Sequence, residues 1–132
     1  MNLSDAGGGE TAVKADLTEL ARVRGWARAL LADLTADRLT DVVMVLDELV
    51  SNALRHAAPP VRVRLRRSRR SLRIEIDDGC TKAARHRPPT SGGGRGMSLV
   101  EQGSIAWGQQ QRLDGKTVWA ELALDRAVRG TA

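Results

Sequence analysis

Between Asp16 and Leu34 the apolar residues fall at Leu17, Leu20, Val23, Ala27, Leu30, Leu31 and Leu34. Steps of three and four trace one face of a helix. Arg22, Arg24 and Arg28 take the other side. Gly25 weakens such a helix by about 1 kcal/mol relative to Ala but does not end it. A second helix is predicted from about Thr35–Leu39 to Ala57, with Thr35 or Asp37 as its cap. Val42 to Leu46, then Leu49, Val50, Ala53 and Leu54, make it apolar most of the way round, the pattern of a central helix. Pro59 and Pro60 stop it.

The period then changes to two. Val61, Val63 and Leu65 alternate with Arg62, Arg64 and Arg66, and Leu72, Ile74 and Ile76 alternate with Arg73 and Glu75. These are two strands of a hairpin, each with one buried face. Residues 79–96 are rich in glycine and poor in apolar groups, which reads as a long loop. A short helix is expected from Met97 to Gln102. Closing strands are expected near Ser104–Gln109 and Lys116–Leu124, joined by the turn-forming pair Asp114-Gly115. Gly7-Gly8-Gly9 marks residues 1–12 as a flexible tail. The main domain is then 13–126, with 127–132 as a second tail. The element order predicts an α+β fold. It is a two-layer sandwich with helices on one face of a mixed, mostly antiparallel sheet.

Composition narrows the class. At 132 residues the chain is one domain. Its single cysteine, Cys80, excludes an internal disulfide framework. No apolar run is long enough to span a bilayer, and residues 1–12 lack a secretory leader, so a cytoplasmic setting is expected. The net charge is +5, yet acids are scattered throughout. Arg62, Arg64 and Arg66 are the outward face of a strand before they are anything else. The absence of Phe and Tyr leaves little stacking surface for single-stranded nucleic acid.

Three polar features interrupt this plan. Glu48, Asn52 and His56 recur at i, i+4 and i+8, a polar stripe along a buried helix that needs partners or a ligand; an exposed helix edge is the plainer alternative. Asp77-Asp78-Gly79 ends a strand, and the alternation from Ile74 and Ile76 turns Asp78 inward, where a carboxylate must be hydrogen-bonded; an ordinary Asp-Gly turn is the alternative. Gly92-Gly93-Gly94-Arg95-Gly96-Met97 leads into a predicted helix N-terminus, a backbone arrangement suited to phosphate; a linker is the alternative.

Together, in this order, Glu48-x-x-x-Asn52, Asp78-Gly79, the run Gly94-Arg95-Gly96-Met97-Ser98-Leu99-Val100 and Gly115-Lys116-Thr117-Val118-Trp119 resemble the GHKL (Bergerat-fold) ATPase superfamily. The resemblance spans about residues 16–124. It is strongest to the small stand-alone anti-sigma-factor serine/threonine kinases of the actinobacterial type. It implies that Asn52 holds Mg²⁺ on the phosphates of ATP and that Glu48 is the general base on a hydroxyl nucleophile. It also implies that Asp78, with Asp77 in reserve, accepts from the adenine amine, with Thr117 supporting it directly or through water. Gly79 would form the turn beside the base, and Gly94, Arg95, Gly96 and Met97 would lie along the phosphates. Two departures stand out: Gly79 lacks a second glycine two positions on, and the lid is short and carries Pro88-Pro89.

The function expected from this resemblance is an ATP-binding regulator. It would bind a sigma factor or similar regulator and phosphorylate Ser or Thr of a small antagonist protein. A homodimer is expected, with neither nucleic acid nor membrane as a direct partner. Two other readings remain open: a non-catalytic partner-sequestering module of the same fold, and a basic nucleic-acid-binding module.

Overall fold

The computed structural model describes residues 8–56, 58–80 and 104–124. Strand β1 (Gly9–Val13) is followed by helices α1 (Glu19–Leu30) and α2 (Ala36–His56). Strands β2 (Val61–Arg67), β3 (Ser71–Asp78), β4 (Ala106–Arg112) and β5 (Gly115–Ala123) complete the described elements. The predicted helix at Met97–Gln102 lies outside the described residues.

Helix α1 begins two residues after Leu17, which is therefore exposed rather than part of the apolar face. Asp16 sets the start, its carboxylate accepting the Thr18 amide and its carbonyl the Glu19 amide, each at 2.9 Å, and Glu19 ties the helix to the preceding strand. The Glu19 carboxylate accepts the Lys14 amide at 3.0 Å and is gripped by the Arg22 guanidinium at 2.8 Å. The hydrogen bond from Arg22, then that from Lys14, brings its carboxyl down to about 2. Of the two caps proposed for α2, Thr35 serves: its hydroxyl accepts the Arg38 amide at 3.2 Å. The central position of α2 is as the pattern predicts, with Val42, Val45, Leu46, Leu49 and Val50 all in the core.

The strands form one five-stranded sheet in the order β1-β2-β3-β5-β4. Every described pairing is antiparallel. The flexible-tail expectation needs correction at its end, because Gly9 to Val13 pair with Leu65 to Val61 as an edge strand. Glycine is useful there. A Cβ on Gly9 would stand 3.1 Å from Leu30 and 3.6 Å from Trp26, so its absence lets α1 lie close over the strand. Leu72, Ile74 and Ile76 of β3, with Ala120 and Leu122 of β5, turn towards the helices and are fully buried.

No described helix covers the opposite face of the sheet. It is laced by charge around Glu75, which is buried although it lies on the side away from the helices. Glu75 accepts from Arg64 at 2.9 Å, Arg66 at 3.0 Å and Arg73 at 2.8 Å. Arg64 also reaches Asp77 at 2.7 Å, Arg62 pairs with Glu10 at 2.8 Å, and Arg73 lies 4.0 Å from the centre of the Trp119 ring. Burial alone would raise the Glu75 carboxyl, but the hydrogen bonds from Arg64, Arg66 and Arg73 outweigh it and hold the group below its ordinary value.

A carboxyl depressed in the folded state stabilises above its unfolded value, about 4.3 for Glu, and loses that contribution as pH falls through the lower folded value. Glu75→Gln is therefore expected to cost about 1–2 kcal/mol at pH 7. The gap from the wild type should close progressively below about pH 4. Urea unfolding of both proteins across pH 7 to 2 checks this; a gap that persists at pH 2 contradicts it.

Candidate nucleotide site

The C-terminal half of α2, the end of β3 and the start of β5 meet at one end of the domain. The Gly79 amide donates to the Ala58 carbonyl at 2.7 Å, which ties the exit of β3 to the segment that follows α2. That approach depends on glycine: a Cβ on Gly79 would lie 2.5 Å from the Pro59 carbonyl oxygen. Gly115 is tighter still, since its Cβ would collide with the Asp78 carbonyl oxygen.

On α2, Glu48 and Asn52 are one turn apart and both half-buried. The amide oxygen of Asn52 is shielded from water and has no hydrogen-bond partner. An orphaned buried acceptor calls for a ligand or ion. The Glu48 carboxylate makes no hydrogen bond or ion pair among the described residues, and its backbone carbonyl accepts from Ser51 Oγ at 3.3 Å. Its neighbour Asp47 faces Arg24 of α1 at 3.5 Å instead.

At the end of β3 the inward turn of Asp78 is as the alternation predicts. It is buried and accepts the Cys80 amide at 2.8 Å. Its main partner, however, is Lys116. The ammonium lies 2.8 Å from Oδ2 and 3.0 Å from Oδ1, with side-chain exposures of 7% for Lys116 and 2% for Asp78. Thr117, expected to support Asp78, does not reach it. Its hydroxyl donates to Asp77 Oδ1 at 2.7 Å, on the face away from the helices. The register explains the correction, because Asp78 stands opposite Lys116 and Asp77 opposite Thr117, so alternation separates the two pairs.

Lys116 is thus the polar residue that inspection of the motif missed. Counting back by twos from Leu122 through Ala120 and Val118 reaches it and not Thr117. Asp77, held by Thr117 and Arg64, belongs to the charged outer face. Gly94, Arg95, Gly96 and Met97 lie outside the described residues. Magnesium fits what remains. It takes oxygen ligands, often one or two from protein with the rest from phosphates and water. Asn52 offers one free oxygen, and no cluster of three or more His, Cys, Asp or Glu that could hold a metal occurs among the described residues.

The family comparison gives this two-layer sandwich its class. A model of the histidine kinase-like ATPase domain matches residues 13–120, and the chain belongs to that family. It is accordingly an ATP-binding module of α+β architecture. Its fold is similar to the crystal structure of the RsbU and RsbW domains of Rv1364c from Mycobacterium tuberculosis, with a TM-score of 0.68 and 17% identity. The match covers 89% of this chain and 32% of that one, so it spans about a third of the length of the chain in that structure. No curated protein matches the sequence. No helix among the described residues is long and apolar enough to cross a membrane.

The close contact at Gly115 predicts a contrast between two glycines. Gly115→Ala should destabilise the domain by more than about 2 kcal/mol, since backbone must move. Gly25→Ala, on α1 with nothing within 4 Å of the added methyl, should stabilise it by about 0.5–1 kcal/mol. Thermal unfolding of both variants checks the pair, and equal effects of the same sign would contradict it.

Proposed function

We propose that this domain is a Mg-ATP-dependent regulator of the anti-sigma kinase type, which transfers a phosphoryl group to Ser or Thr of a small antagonist protein. The observation that carries the reading is the unpartnered Asn52 oxygen, one turn from a Glu48 carboxylate that pairs with none of the described residues, on a helix of the matched family. In this reading Asn52 holds Mg²⁺, which neutralises charge on the phosphates. Asp78 accepts the adenine amine and Gly79 forms the turn beside the base. Gly94, Arg95, Gly96 and Met97 follow the phosphates. Glu48 accepts the proton of the attacking hydroxyl as the new oxygen–phosphorus bond forms and ADP departs. A carboxylate free of competing ion pairs is suited to that task. The likeness in fold to a protein with an RsbW domain supports a partner-binding regulatory role; in this reading the partner is a sigma factor or similar regulator, and the chain acts as a homodimer in the cytoplasm.

The ion pairing of Arg62, Arg64, Arg66 and Arg73 with Glu10, Glu75 and Asp77 weighs against the nucleic-acid reading. A sequestering module without catalysis remains the second reading, favoured by the missing second glycine after Gly79.

Thermal unfolding with Mg-ATP tests the binding step. Ligand at about 100 times its dissociation constant should add ~2.7 kcal/mol to the wild type, and Asn52→Ala should lose most of that gain while folding normally. Glu48→Gln should keep ATP affinity within a few-fold and lower transfer of labelled γ-phosphate to an antagonist by roughly 10²-fold. Transfer by Glu48→Gln at the wild-type rate would reject Glu48 as the base. Binding without transfer by the wild type, across a panel of candidate antagonists, would favour the sequestering module.

A further inference from the structure

The Asp78–Lys116 pair is buried but not saturated. An ionised carboxylate has about four acceptor positions, and an ammonium has three donors. Asp78 Oδ1 accepts from Lys116 Nζ and from the Cys80 amide, while Oδ2 faces Nζ as an ion-pair contact at 2.8 Å. Lys116 Nζ contacts the two carboxylate oxygens and, among the described residues, nothing else. At least one acceptor position on Oδ2 and one N–H on Nζ are therefore left over among the described residues, on atoms 2.8 Å apart and almost closed to water. Unused hydrogen-bonding capacity in such a place is costly unless a ligand of matching pattern supplies it.

The pattern wanted is a donor beside an acceptor. The Watson–Crick edge of adenine has it, with the exocyclic amine as donor and ring N1 as acceptor. Guanine held in the same orientation presents the reverse, a carbonyl and an N–H, and would set its carbonyl oxygen against the carboxylate. We infer that Lys116 is a specificity-determining residue of the nucleotide site, donating its free N–H to adenine N1 while Asp78 accepts from the amine. This rests on the reading of Asp78 as the base contact. Thr117 does not compete for the role, since its hydroxyl is bound to Asp77 on the other face. The rival role for Lys116 is that of a counter-ion which the base must displace, and the two roles predict opposite effects.

The test compares ATP with 1-deaza-ATP, in which N1 is replaced by C–H, by calorimetry on the full chain with Mg²⁺. The wild type should bind the analogue roughly ten- to a hundredfold more weakly, the scale of a lost charge-assisted hydrogen bond. Lys116→Met keeps the aliphatic stem and removes the donor. It should bind the two nucleotides equally, at about the affinity of the wild type for the analogue. Should that variant fail to fold because Asp78 is left unpaired, Asp78→Asn combined with Lys116→Met removes both charges and serves in its place, with equal binding of the two nucleotides again expected. Equal binding of both nucleotides by the wild type overturns the inference without any variant. A penalty that persists in Lys116→Met, or tighter ATP binding by it, overturns it as well. If the wild type binds ATP but is blind to N1, only the role of Lys116 falls; if it binds no ATP, the reading of the site falls with it.

Discussion

The alternation of β3 is the constraint on which the rest of the molecule depends. This strand lies between β2 and β5, with α2 against one face. Leu72, Ile74, Ile76 and Asp78 share the helix side, while Arg73, Glu75 and Asp77 share the other. A slip of one residue would drive Arg73, Glu75 and Asp77 into the core and turn three large apolar groups to the open face. The same parity places a carboxylate at the end of the apolar row, at the mouth of the domain. Core and site are consequently specified by one register.

The two faces solve the problem of burial in different ways. Towards the helices, stability comes from close-packed aliphatic side chains, with Leu46, Val50, Val63, Ile74 and Leu122 essentially closed to solvent. The open face has no described helix to cover it. Arginines there lie flat over β2 and β3, converging on Glu75, and the stems of these residues with the Trp119 ring supply the cover that a helix would. Four cations around two acids and Glu10 make that face nearly self-neutralising, although the chain as a whole is basic.

At the site, packing and chemistry impose different demands on neighbouring residues. Gly79 and Gly115 permit backbone contacts that any side chain would block, and they bring α2, β3 and β5 together. The polar groups they gather are held unequally. Asp78 is restrained by Lys116 and the Cys80 amide, whereas the Asn52 amide oxygen is buried without a partner. A tightly held carboxylate beside an unsatisfied amide oxygen is an arrangement in which a bound ligand can supply the missing partner.

Much of this was legible in the linear pattern. The steps of Val23, Ala27 and Leu31, the apolar middle of α2 and the alternation of β2 and β3 required helices, strands and a two-layer arrangement, because periodicity of 3.6 or 2 has only those ways to bury one face. The inward turn of Asp78 followed from parity with Ile74 and Ile76. Strand β1 was not legible: Gly8 and Gly9 look like linker, and only the crossing of Trp26 and Leu30 above Gly9 makes a glycine fit an edge strand. Nor was the partner of Asp78, since Lys116 and Thr117 are adjacent and equally polar. Which of them faces the carboxylate is decided by the pairing of β5 with β3, a contact across nearly forty positions of chain that no local pattern specifies.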